Sequence, residues 1–90
     1  MKDKESIKMI NSLLDFLSKR NNSIVTYSNG IWYYKINLNK INPALFKVMY
    51  TGDFVVDDYN NVKVFDDFVS MKSFIVKYIS SSNIKKRISI

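Results

Sequence analysis

The sequence predicts a single α+β domain in which a short sheet is covered by helices. Three observations carry this expectation: an amphipathic segment opens the chain, an aromatic β-hairpin follows it, and a second amphipathic segment comes after a short β-branched run. Hydrophobic residues make up 47% of the 90 residues and charged residues 24%, with only two Gly and one Pro, so the composition suits one globular core and leaves no room for a second domain.

The first helix spans about residues 4–20. Ile7, Ile10, Leu13, Leu14 and Leu17 recur at helical spacing, while Lys8, Asn11, Ser12, Asp15 and Ser18 fall on the other side. Met9 and Phe16 make the apolar stripe wider than one packed surface needs. Lys19 and Arg20 suit the negative end of the helix dipole, and Asn21-Asn22 supplies a left-handed stop. The hairpin covers residues 24–36: Ile24–Tyr27 and Ile31–Ile36 are β-branched and aromatic, and Asn29-Gly30 between them is the preferred type I′ turn pair. This turn pairs Ser28 with Ile31, Tyr27 with Trp32 and Val25 with Tyr34. Val25, Tyr27, Trp32, Tyr34, Ile36 and Leu38 then share the core face, and Thr26, Tyr33, Lys35 and Asn37 the other.

Leu38–Ile41 leaves room for one helical turn. Asn42 as cap and Pro43 at the first helical position predict a helix over 43–51, buried through Leu45, Phe46, Val48, Met49 and Tyr50 and closed by Gly52. Asp53–Asn61 reads as an acidic loop with a turn at Asp58–Asn61, and 62–65 as a short strand. A hairpin of Phe54–Val56 with that strand is the less favoured alternative. A last helix is expected over 70–80, starting at Asp67 or Ser70, with Met71, Phe74, Ile75, Tyr78 and Ile79 inward and Lys72, Ser73 and Lys77 in water. Ser80–Asn83 stops it, and 84–90 follows as a basic strand or tail.

Several of these stretches are similar to one known family. Asn29–Tyr34 resembles its glycine-marked hairpin, and Leu38 falls at the leucine of its next turn. Asn42-Pro43-Ala44-Leu45-Phe46-Lys47-Val48-Met49 resembles its Ser-Pro-x-x-Phe-Lys-x-Met segment, with Asn in place of Ser. Val62–Val64 looks like its third strand, and Phe74 with Lys77–Ile79 like the helix after it. On these residues and their order, the chain resembles the N-terminal two-thirds of a BTB/POZ domain, the fold of elongin C and of the potassium-channel tetramerisation domain. The resemblance implies a three-stranded mixed sheet, the hairpin plus a strand returning through a helical crossover, abbreviated at the C-terminus by two helices. It also implies a protein partner: a second copy, or another BTB-like domain met through the N-terminal helix. Met9, Leu13, Phe16 and Leu17 are the interface residues on this reading. Ser80–Asn83 lacks the acidic residue of a cullin binder, which argues against cullin recruitment.

Composition narrows the chemistry. Cysteine and histidine are both absent, which removes disulfides, thiolate nucleophiles, imidazole bases and the usual zinc ligands. The remaining route to catalysis is Mg²⁺ held by carboxylates. Its only acidic pairs, Asp57-Asp58 and Asp66-Asp67, read better as turn and helix-start residues. No enzyme activity, cofactor or metal is expected. No apolar run reaches a membrane span and the N-terminus is unlike a signal peptide, so an intracellular, cytoplasmic setting is expected, the nucleus included.

The net charge is +6: residues 1–52 carry +5, residues 53–67 carry −4 and residues 68–90 carry +5. Lys85, Lys86 and Arg87, backed by Lys72 and Lys77, therefore support an alternative function, nucleic-acid binding. Lysines outnumber arginines twelve to two, which weakens that reading, because Arg is the preferred bidentate ligand of phosphate and guanine. The leading expectation is a non-enzymatic protein-interaction module. The abundance of Ile, Lys and Asn suggests AT-rich coding and fits a viral or mobile-element inhibitor or adaptor of a host complex.

Overall fold

A computed structural model describes residues 2–36 and 45–88, with side chains at 4–36 and 45–80. The order is α1 (Lys2–Arg20), β1 (Ser23–Ser28), β2 (Ile31–Ile36), β3 (Leu45–Tyr50), β4 (Phe54–Asp57), β5 (Val62–Phe65) and α2 (Phe68–Ile88). The strands form one five-stranded sheet in sequence order, and every neighbouring pair is antiparallel. Both helices pack on the same face of this meander. Ile10 and Leu14 of α1 and Met71 and Ile75 of α2 meet Trp32, Tyr34, Phe46, Val48 and Val56 of the sheet in one buried cluster.

The expected three-stranded mixed sheet is corrected by this architecture. The decisive difference lies at 43–51, where β3 replaces the expected helix. Leu45–Tyr50 alternates, so that Phe46, Val48 and Tyr50 face the helices and Leu45, Lys47 and Met49 face away. A helix of nine residues is marginal on its own, whereas the same segment as a strand satisfies the open hydrogen-bonding edge of β2. Phe54–Asp57 then pairs on both sides, with β3 and with β5, so the less favoured hairpin is the one that forms. Leu38–Ile41 and the Asn42-Pro43 cap lie outside the described residues.

Other local signals hold. The first hairpin has the predicted register, with Asn29 and Gly30 at φ 51° and 81°, as a type I′ turn requires. Asn22 stops α1 at φ 52°, and the backbone N–H of Asn21 donates to the Leu17 carbonyl. Gly52, expected to end a helix, instead makes the β3–β4 turn at φ 95°.

Asp67 is the cap of α2. Its Oδ1 accepts the Ser70 backbone N–H at 2.7 Å and its Oδ2 accepts the Ser70 hydroxyl at 2.9 Å. The expected helix 70–80 therefore starts earlier, and it also runs further. No Gly or Pro follows Ser80, so nothing in the backbone ends the helix at Ser80–Asn83, and 84–88 is helix where a strand or tail was expected. Ser89 and Ile90 lie outside the described residues.

Aromatic rings tie the layers together. Tyr34 stacks on Phe46 across β2 and β3, with centroids 4.8 Å apart, and Tyr78 of α2 meets the Phe46 ring edge-on at 5.5 Å. Phe54 of β4 likewise meets Phe68 of α2 at 5.8 Å. Within this core the Tyr34 hydroxyl is buried and has no hydrogen-bond partner among the described residues. Burial pushes its pKa above the usual 10, an effect that the nearby Ser23 and Asn21 side chains only partly offset. Both neighbours are engaged elsewhere: the Ser23 hydroxyl donates to the Asn21 carbonyl, and the Asn21 amide to that of Leu17.

Two expectations follow. Tyr34→Phe keeps the ring stack and removes an unpaired hydroxyl, so denaturant unfolding will show unchanged stability or a gain of about 1 kcal/mol; a loss of that size would mean that the hydroxyl is bonded. The Ser70 N–H and then its hydroxyl hold the Asp67 carboxyl below its usual value near 3.8. The charged form is thus favoured by folding, and its contribution is present above that value and lost as the pH falls through the lower, folded-state value. Asp67→Asn, which keeps a capping oxygen and loses the charge, should therefore lower the Tm at pH 7 and match the parent near pH 2; equal Tm values at both would show that the charge contributes nothing.

Candidate functional site

α1 presents two stripes. Ile10 and Leu14 lie flat on the sheet and are fully buried, whereas Met9, Leu13, Phe16 and Leu17 turn toward α2. These are the four predicted interface residues, and the structure brings all of them to one open groove of about 990 Å³. Leu13 and Leu17 are buried at its base; Met9 and Phe16 stand on its wall, Phe16 with 56% of its surface exposed. The Arg20 guanidinium lies 5.6 Å from the Phe16 ring centre, in cation–π range.

The opposite wall belongs to α2 and comes from residues that the sequence alone does not mark as interface residues. Phe68, Lys72 and Val76 recur every fourth position and so form one helical stripe. That spacing is visible in the sequence. A helix start at Ser70 leaves Phe68 outside that stripe, and Lys72 reads there as one of the basic residues.

Tyr27 and Trp32 complete the groove. They are cross-strand partners on the helix-facing side of the first hairpin, with ring centroids 4.7 Å apart. Trp32 is buried and its Nε1–H donates to Asn11 Oδ1 at 3.3 Å, which fastens the hairpin to α1. Tyr27 shares that face but lies near the hairpin turn, and it remains 53% exposed. Its place in the core is therefore corrected: it lines the groove. Glu5, Lys8 and Lys72 supply the charge around this apolar lining.

The remaining candidates separate from the groove. Asp57 and Asp58 build the β4–β5 turn: Asp57 Oδ1 accepts the Tyr59 N–H, and Asp58 Oδ1 accepts those of Asn60 and Asn61. Asp67 caps α2, as above. Among the described residues no group of three or more acidic, His or Cys side chains is arranged to hold a metal. Lys72 and Lys77 are five helical positions apart, about 140° around the axis, and do not form one stripe. Lys85, Lys86 and Arg87 stand on the continuous α2, and their side chains lie outside the described residues. No helix among the described residues is long and apolar enough to cross a membrane.

The two stripes of α1 predict different mutational costs. Leu14→Ala should destabilise the fold by about 2–5 kcal/mol, as full burial implies. Phe16→Ala should stay within about 0.5 kcal/mol, because its ring is mostly in water. Chemical denaturation of the two variants measures both, and similar losses would show that Phe16 is part of the core. No family model matches the chain, and neither the curated proteins nor the solved structures contain a match to it.

Proposed function

We propose that this chain is a non-enzymatic protein-interaction module whose α1–α2 groove receives an amphipathic helix of another protein. One observation carries the reading: two helical stripes, one from each helix, flank an aromatic floor and leave an open apolar groove. This is the geometry by which grooves take the anchor residues of a helix at i, i+3, i+4 and i+7. Met9 adds a flexible, polarisable wall that adapts to different anchors. Lys8, Lys72 and the nearby Arg20 favour a partner helix with an acidic polar face, as does the net charge of +6.

The proposal rests on the groove and not on the family resemblance, because the helical crossover which that resemblance implied is replaced by β3. An intracellular setting is part of the same reading, since a domain of this size outside the cell commonly depends on disulfides and this one has no cysteine. Inhibition or bridging of a host complex by a viral or mobile-element protein fits a module of this kind. Nucleic-acid binding is the weaker reading. Lys72 and Lys77, the basic residues of α2 with described side chains, lie about 140° apart around the helix and do not make one phosphate-facing row.

Trp32 is the only tryptophan and lies at the groove, so its emission reports occupancy. Titration with amphipathic helical peptides bearing acidic polar faces should shift that emission with a Kd on the order of micromolar, and Phe16→Glu should weaken binding by about tenfold or more. Absence of any shift, or equal binding by the variant, would remove the groove from the proposal.

A further inference from the structure

We infer that the sheet face turned away from the helices is a homodimer interface, closed by the same face of a second copy. This face lies opposite the groove, and the inference is independent of the groove's occupant.

Cross-strand register puts Ile31, Met49, Val55 and Val64 directly opposite one another, one from each of β2, β3, β4 and β5. They form an apolar row across four strands, and no helix among the described residues covers it. Val62 and Val64 extend the surface onto the outer strand at 59% and 60% exposure. A sheet facing water normally alternates apolar and polar residues so that its outer side is wetted. Here one register row of the outer side is apolar from β2 to β5, and the charged residues of that side fall in the rows beside it.

The charges on the face argue for a second copy. Its strands place two lysines, Lys35 and Lys47, and one aspartate, Asp57, on this side, a net of +1 against +6 for the chain. Two copies that would otherwise repel can meet here with little like-charge opposition.

The central charges are also satisfied before any partner arrives. Lys47 Nζ lies 3.6 Å from Asp57 Oδ2, both side chains are already about three-quarters buried, and the Tyr59 ring stands 5.2 Å from the ammonium. The other oxygen of Asp57 accepts the Tyr59 N–H at 2.8 Å. Covering the centre of the face therefore strands neither charge of this pair, the condition on which burial of an ion pair depends, and Lys35 lies exposed near the end of β2.

Size fits as well. Five strands about 4.8 Å apart, each rising about 3.3 Å per residue, present a corrugated face on the order of 20 by 17 Å. With side chains, its accessible surface is several hundred Å², near the roughly 800 Å² per partner of a standard interface. Two such faces stack as aligned sheets about 10 Å apart, related by a two-fold axis.

Sedimentation equilibrium of the full chain tests the inference. A dimer with a Kd on the order of micromolar is expected, weakened about a hundredfold by Met49→Lys and retained by Phe16→Lys, each with unchanged far-UV circular dichroism. Should Met49→Lys fail to fold, Val64→Lys on the exposed outer strand takes its place, since edge strands tolerate lysine. A parent chain that remains monomeric at about 500 µM would overturn the inference, and so would a dimer that survives the sheet-face substitution or is lost in Phe16→Lys.

Discussion

The stack of Tyr34 on Phe46 is the contact on which the rest of the structure depends. It sits at the junction of β2 and β3, and Tyr78 of α2 closes on Phe46 from above, so one pair of rings joins two strands and a helix. Register follows from it. A slip of one residue between β2 and β3 would turn Phe46 and Val48 to the outer face and bring Lys47 under the helices, which a close-packed core cannot accept. β3 held in this register offers its far edge to β4, and β4 offers its own to β5, so the whole meander is built outward from that pair.

Placing both helices on one side of a five-stranded sheet gives the molecule two unlike surfaces. On the helical side, the seam between α1 and α2 does not close fully, and the gap exposes Phe16, Tyr27 and Val76 around a buried tryptophan. On the other side there is no second layer among the described residues, and the strands show a continuous apolar row with an ion pair, Lys47 and Asp57, in the row beside it. A small domain has a limited stock of polar surface, but apolar area of this extent on both sides is more than incidental exposure explains. It is the observation behind the proposed associations.

Features governed by neighbouring residues were legible in the sequence. Asn29-Gly30 prescribes its turn through backbone conformation, and the predicted hairpin register is the observed one. Asp67 was one of two candidate caps and is the one used. Met9, Leu13, Phe16 and Leu17 of α1 stand out together in the sequence, because Met9 and Phe16 widen the stripe beyond what the sheet can cover, and the groove collects all four; their role as an interface belongs to the proposal. The other half of the groove is not evident from the sequence, although Phe68, Lys72 and Val76 carry a regular spacing of four. Nothing local announces that this stripe lies beside α1 rather than in open water.

Sequence alone determined the α+β class, the first helix and the first hairpin with its faces, and it narrowed the start of the last helix to two caps. In each case the deciding forces act within a few residues: turn sterics, capping hydrogen bonds and the periodicity of apolar side chains. Tertiary structure decided Leu45–Tyr50. Its residues suit a buried helix or a buried strand about equally, and a good cap signal upstream favoured the helix. The unpaired edge of β2 and the ring of Tyr34 were the stronger influence, because a strand there satisfies backbone groups that a short helix would leave open. From that one segment came the change from three strands to five, and with it the broad uncovered face that no local pattern foretold.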